Sequence, residues 1–370
     1  MKHQHQFESV NTIREATQAR GLIADLSRIV NIMIVDIASE EEAARVSDLA
    51  LPEYPIIART LRARRDNLLA AWREADPQAL VIELFPFGRR LMRFELLPLL
   101  EAAHAAPRRP VVVSSVRDVL GGGQKDPARQ DQMLELFERY FDRLLVHGDP
   151  ALIRFEQTFG HAARIAHKLH YTGYVVDRAP PAGALGPGGT DEVIVSVGGG
   201  AVGRLLLETA MRARPLCALA RHTWRFLAGT QVTDTELVEL GALARGADGG
   251  AAAVEVERNR ADFRQLLANC RLSVSQGGYN TIMETLDAGA PSVVVPFAGG
   301  AEIEQSLRAR LLAERGWIDM VEESDLNPRT LADAIDRAAR RSAPKSGVVD
   351  LDGARNSAAL LARWTSELAW

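Results

Sequence analysis

Short apolar runs alternate along the chain with longer segments in which apolar residues recur every three or four positions. The runs Ile29–Ala38 (IVNIMIVDIA), Leu80–Leu84 (LVIEL), Val111–Ser115 (VVVSS) and Arg143–His147 (RLLVH) predict strands. Segments between them, such as Ile57–Ala75 and Arg129–Tyr140, predict amphipathic helices. The stretch Asp177–Thr190 (DRAPPAGALGPGGT) has almost no apolar periodicity and predicts a linker. The alternation then restarts. Strand Val193–Val197, a helix over Ala201–Ala213 and strand Leu216–Ala220 precede a less regular middle. Strands Leu272–Ser275 and Ser292–Pro296 follow, with helices over Glu302–Arg315, Pro328–Arg341 and Ala354–Glu367. Strands interleaved with helices predict an α/β chain with mainly parallel sheets. The expected organisation is a domain over 1–176, a linker over 177–190, a second domain over 191–345 facing the first across a hinge, and a C-terminal helical segment over 346–370 that packs back on the first domain.

Composition narrows the function. The chain has 370 residues, enough for two cores, and 47% of them are hydrophobic. The 44 basic and 48 acidic residues nearly balance, which argues against nucleic acid as the main partner. Cys217 and Cys270 each lie beside an apolar run and read as buried thiols, with no spacing that suggests a metal site. No apolar run approaches the ~18 residues of a membrane span, and a cytoplasmic protein is expected.

Candidate chemistry sits where strands break at glycines. Gly198, Gly199, Gly200 and Gly203 lie between a predicted strand and helix, where backbone N–H groups and the positive helix end suit a phosphate. A dinucleotide site would also need an acid at the end of the next strand, and Arg221 and His222 follow the one expected there. A phosphate-binding turn without a nicotinamide cofactor is the reading. The second break, Ser275-Gln276-Gly277-Gly278, leads into a helix expected near Thr281, with Asn280 as its cap. Glu284, one turn in, either complements the helix dipole or holds the vicinal hydroxyls of a ribose. A third turn at Gly299-Gly300 precedes Glu304 and Gln305.

The segments "SVGGGAVG", "DFRQLLANCRLSVSQGGYNTIMETLDAGAPSVVVPF" and "EIEQSLRARLLAERG" resemble the C-terminal domain of GT-B glycosyltransferases of the family 28 type, the family of the lipid I N-acetylglucosaminyltransferase. The segments "ELFPFGRR" (83–90), "SVRD" (115–118), "LLVHGDP" (144–150) and "YTGYV" (171–175) are similar to those of predicted bacterial glycosyltransferases. The resemblance implies two Rossmann-like domains. It implies transfer of a hexose or N-acetylhexosamine from a nucleotide-diphosphate sugar, UDP-linked, to an unknown acceptor, with no bound metal or cofactor. It places Gly198–Gly200 near the diphosphate, Ser275–Gly278 along the donor, Glu284 on the ribose, and Glu304 with Gln305 on the sugar. Phe263 lies in the stretch that approaches the base, and also fits a buried helix aromatic.

The N-terminus departs from the family. Asn11 and Thr12 stand where a Gly-His turn is expected, and the residues before Phe7 are too polar for a buried strand. The first strand is expected to be missing, through divergence or truncation. The acceptor-side candidates left are Glu83, Arg117, Asp118 and His147, with Glu83 and Asp118 as candidate bases. Each has a plainer role open to it: Glu83 paired with Arg89 or Arg90, Arg117 paired with Asp118, His147 bonded to its own loop. Two other functions fit: a non-catalytic or partner-dependent nucleotide-sugar-binding protein, and a GT-B-like nucleotide-sugar 2-epimerase. Peripheral membrane contact stays open for a lipid-linked acceptor.

Overall fold

The computed structural model describes residues 32–35, 55–121, 126–176, 186–198, 203–229, 232–246, 254–297, 304–341 and 347–368. The expectations on residues 1–31, Gly199, Gly200, Gly299 and Gly300 lie outside them. The chain divides into two compact units. Unit 1 takes residues up to Val175 together with Asp352–Trp370, and unit 2 takes Val176–Leu351.

Unit 1 holds five described strands, β1 (Ile32–Val35), β2 (Ala79–Glu83), β3 (Val111–Arg117), β4 (Arg143–His147) and β5 (Leu169–Tyr171). They pair in parallel in chain order, β1-β2-β3-β4-β5. The crossovers carry helices α1 (Pro55–Ala75), α2 (Arg93–Ala105) and α3 (Pro127–Tyr140). Alternate strand residues serve two cores. Leu80, Ile82, Val112, Val116, Leu144 and Val146 pack with Phe85, Phe87, Phe137, Phe141, Phe155 and Phe159. On the other face Val81, Val113 and Leu145 meet Leu361 and Trp364 of α10 (Gly353–Ser366), the C-terminal helix. Asn356 Nδ2 donates to the Thr172 carbonyl at 2.8 Å, and Gly353 lies so close to the Gly173 carbonyl that a Cβ there would come within 2.5 Å of it. The start of α10 therefore lies at the carboxyl edge of this sheet.

Unit 2 holds β6 (Val193–Ser196), β7 (Trp224–Ala228), β8 (Val254–Arg258), β9 (Leu272–Ser275), β10 (Ser292–Val294) and β11 (Asp319–Met320). Its helices are α4 (Arg204–Ala213), α5 (Asp234–Gly246), α6 (Phe263–Asn269), α7 (Tyr279–Ala288), α8 (Glu304–Glu314) and α9 (Pro328–Arg340). The strand order is β11-β10-β9-β6-β7-β8, all parallel. The chain enters at β6 in the middle, builds outward through β7 and β8, and returns to β9 on the other flank. That reversal puts a crevice outside the carboxyl ends of β6 and β9.

The sequence places β4 and β9 to the residue. It misplaces one strand: Leu216–Ala220 is a short 3-10 turn and bends, and β7 begins at Trp224. Arg221 and His222 thus precede β7, and Gly229 follows it. Trp224 is fully buried and its indole N–H donates to the Leu219 carbonyl at 3.0 Å, which anchors the strand later in the chain than apolar runs alone suggest. The β-strands β5, β8 and β11 were not expected. β8 reads VEVER, with a charged residue at every second position, because Glu255 and Glu257 meet Arg225 of β7 across the sheet.

Candidate functional site

In unit 2 the site is built largely from backbone. Ser196 and Ser275 end β6 and β9 side by side in register, on either side of the order reversal. After Ser275 the chain turns through Gln276, Gly277 and Gly278 into α7. Gly277 has φ +73°, and a Cβ on it would lie 2.4 Å from Val294 Cγ1, so glycine is required there. Gly278 has open space where a Cβ would stand. It is the N-cap of α7 and, as a glycine, brings no side-chain cap of its own. The expected cap, Asn280, is instead the second helical residue and is exposed, because the helix starts two residues earlier than Thr281. The opening N–H groups of α7 therefore point past Gly278 with the positive end of the dipole behind them, an arrangement that suits a phosphate.

Glu284 is the sixth residue of α7, half-buried and beyond the first turn, so the dipole alone gives it little reason to be acidic. Glu304 opens α8 and accepts from Arg308 Nη2 at 2.9 Å, while Arg308 has no exposed surface and lies over the Tyr279 ring. Sequence reasoning missed Arg308; a cation four residues after a helix-opening acid is the signal that would have found it. Gln305 accepts from the Phe297 N–H at 3.2 Å, which ties it to the end of the β10 segment. Phe263 packs against Ile194, Leu227 and Leu266, the plainer of its two expected roles. Gly198 follows β6 with open space beside it, and Gly203 caps α4 so close to Val197 that a Cβ would lie 2.3 Å from its side chain. Ser196 Oγ is buried with no hydrogen-bond partner among the described residues, an oxygen that sequence reasoning passed over.

Unit 1 builds its carboxyl edge from side chains. Glu83 ends β2, half-buried, with Arg89 Nη2 at 3.5 Å. Leu84 and Arg89, the residues flanking this loop, take left-handed φ values of 62° and 54°, held in place by the buried Phe85 and Phe87 between them. Asp118 has no exposed surface. Its carboxyl oxygens accept from the Val119 N–H at 2.9 Å and from the Tyr174 hydroxyl at 2.9 Å. Of the two candidate bases, Asp118 is enclosed and Glu83 has surface. Arg117 is exposed, on the opposite side of the strand from Asp118. His147 joins Ser115 Oγ at 2.7 Å through Nε2 and Thr172 Oγ1 at 2.9 Å through Nδ1. Burial, with the Arg117 guanidinium adding to it, pushes the imidazole down to about 4. Residues of "SVRD", "LLVHGDP" and "YTGYV" thus meet in one place. A Cβ on Gly148 would lie 2.6 Å from Asp118 Cβ, so that glycine lets the segments close. Among the described residues no group of His, Cys, Asp and Glu is arranged to hold a metal ion. Cys270 is half-buried, and desolvation pushes its thiol up to about 12.

Residues 194–346 match the glycosyltransferase family 28 C-terminal domain. The matched segment lies within unit 2. A UDP-N-acetylglucosamine--N-acetylmuramyl-(pentapeptide) pyrophosphoryl-undecaprenol N-acetylglucosamine transferase of Granulibacter bethesdensis is 30% identical over 154 residues, 40% of this chain and 38% of that protein. The enzyme of the same name from Rhodopseudomonas palustris (strain BisA53) is 28% identical over 221 residues, 58% of this chain and 56% of the relative. The chain thus spans roughly two fifths to a little over half the length of these curated relatives. The crystal structure of Acinetobacter baumannii MurG superposes with TM-score 0.56 at 15% identity, covering 94% of this chain and 97% of that one. The glycotransferase of kitacinnamycin superposes with TM-score 0.55 at 18% identity, covering 95% and 91%. At these identities the likeness establishes the architecture, which is the GT-B fold of two α/β units. The family 28 domain carries every unit 2 feature described above, from β6 to α9.

Proposed function

We propose that the chain transfers a hexose or N-acetylhexosamine from a nucleotide-diphosphate sugar to a hydroxyl acceptor. The observation that carries this reading is the uncapped start of α7 at the strand-order reversal of a family 28 domain. UDP-N-acetylglucosamine, named in the relatives above, is the first donor to test.

On this reading the diphosphate lies against the opening N–H groups of α7 and the turn at Gly198. Charge develops on the departing diphosphate as the bond to the sugar C1 breaks. Fixed N–H dipoles in a site with little water stabilise that charge without having to reorganise. Glu284 accepts two hydrogen bonds from the ribose hydroxyls. Glu304 and Gln305 read the sugar, and the Arg308 ion pair holds the Glu304 carboxylate in one orientation. On the unit 1 edge Glu83 is the candidate base for an acceptor hydroxyl, and Asp118 holds Tyr174 and Val119 in place.

The test is a thermal-shift titration with UDP-N-acetylglucosamine and UDP, followed by assay of released UDP. Stabilisation of the wild type, absent in Glu284→Ala, together with UDP release that falls in Glu83→Gln, supports the reading. Stabilisation with no release and no transfer leaves a nucleotide-sugar-binding protein. No stabilisation by any nucleotide sugar overturns it.

A further inference from the structure

Glu83, Ser115, Arg117 and His147 leave the same face of the unit 1 sheet at its carboxyl edge. Glu83 and Ser115 are register partners on β2 and β3, and Arg117 and His147 are register partners on β3 and β4. Register partners in neighbouring strands stand about 4.8 Å apart and point the same way.

The shortest contact of the Thr172 hydroxyl points to one direction for the protons. The Thr172 hydroxyl donates to the Gly173 carbonyl at 2.8 Å, so toward His147 Nδ1 it acts as acceptor. Nδ1 then carries the imidazole proton and Nε2 presents its lone pair. Ser115 Oγ, 2.7 Å from Nε2, donates its single proton to it. Ser115 therefore meets anything else as an acceptor. A neutral imidazole is what burial and Arg117 favour here. The half-buried Glu83 carboxylate beside Ser115 also acts as an acceptor.

We propose that Ser115 and Glu83 form an acceptor subsite for neighbouring hydroxyl groups, those of a sugar or polyol. One hydroxyl donates to Glu83. The adjacent hydroxyl donates to Ser115, whose orientation His147 and Thr172 hold. A ligand with only ether or ester oxygens at these positions brings no donor to Ser115 and adds none to the Arg89 contact of Glu83. Ser115 and His147 are positioning residues in this account. The inference rests on the glycosyl-transfer reading for naming the ligand an acceptor and on unit 1 geometry alone for its binding chemistry.

The test uses the full chain with methyl β-D-glucopyranoside as probe and its per-O-methyl ether as control. His147 ring nitrogens are followed by long-range proton–nitrogen NMR at pH 7. The wild type should show the Nδ1–H tautomer, and the glucoside should shift Nε2 while the methyl ether leaves it unmoved. Ser115→Thr, which keeps the hydroxyl, should bind like wild type. Ser115→Ala should bind the glucoside roughly three- to tenfold more weakly, the loss expected for one hydrogen bond. A glucoside that leaves Nε2 unmoved in the wild type, an equal response to the methyl ether, or wild-type affinity in Ser115→Ala overturns the subsite. Stabilisation by UDP-N-acetylglucosamine is measured on the same samples. Its loss in the wild type strikes the glycosyl-transfer reading. Its retention in Ser115→Ala alongside weakened glucoside binding assigns the defect to the acceptor subsite.

Discussion

The carboxyl edges of the two sheets are finished in opposite ways. In unit 1 the described strands run in chain order, and side chains close the edge: Asp118 with Tyr174, Ser115 with His147 and Thr172, Glu83 with Arg89. In unit 2 the order reverses at β6 and β9, and the edge is glycine backbone and the uncapped start of α7. A side-chain edge has its hydrogen bonds made before any ligand arrives, so its polar residues contribute to stability. A backbone edge leaves N–H donors for a ligand, so its polar residues matter when the ligand is bound. Substitutions in unit 1 should register first in unfolding, and those in unit 2 first in binding.

Asp118→Ala is the largest expected effect. It leaves the Tyr174 hydroxyl and the Val119 N–H buried without their acceptor, which costs about 4 kcal/mol. Urea unfolding of the full chain measures it. A loss below about 1 kcal/mol would break the distinction between the two edges. Gly277→Ala is the exception that unit 2 should show, because there the backbone itself is the site. Strain at φ +73° and a Cβ against Val294 destabilise by about 3 kcal/mol, and donor binding falls with stability. Equal donor affinity in a folded Gly277→Ala protein would separate the turn from the ligand.

The His147 imidazole adds a pH test. Its folded value of about 4 lies below the ~6.5 of an unfolded chain, so the unfolded state binds more protons between those values. Its contribution to stability is therefore complete above pH 6.5, and about 3 kcal/mol of it is lost as pH falls through 4. Repulsion from Arg117 is part of the lowering of the folded value, after burial. His147→Gln should flatten this part of the stability curve relative to wild type. Parallel curves for the two proteins would show that His147 is not held neutral.

Glu284→Ala should weaken donor binding by about 2 kcal/mol with little change in unfolding, read by calorimetry. Asn280→Ala is the smallest effect. An exposed residue that caps nothing should change stability by under about 0.5 kcal/mol, whereas a true N-cap would cost about 1 kcal/mol. A loss of that size would return Asn280 to the capping role that its neighbours in sequence suggest.

The sequence by itself determined the α/β alternation, the bounds of β4 and β9, and the glycine breaks that end strands, because each of these is written in neighbouring residues. Apolar period, turn residues and helix signals act over one or two turns of chain. The GT-B resemblance was legible for the same reason, since "SQGGYNTIMETLDAGAP" keeps its glycines and Glu284 within one strand-turn-helix segment. Only the tertiary structure decided the order reversal at β6 and β9, the late start of β7, and the charged strand β8, whose glutamates answer an arginine on another strand. It also separated Asp118 from Glu83. Asp118 finds Tyr174 across 56 residues, and Ser115 finds His147 across 32. No local pattern encodes such partners. They come together only when parallel strands pair and bring their carboxyl ends to one edge, and burial there turns one candidate base into a hydrogen-bonded anchor while leaving the other at the surface.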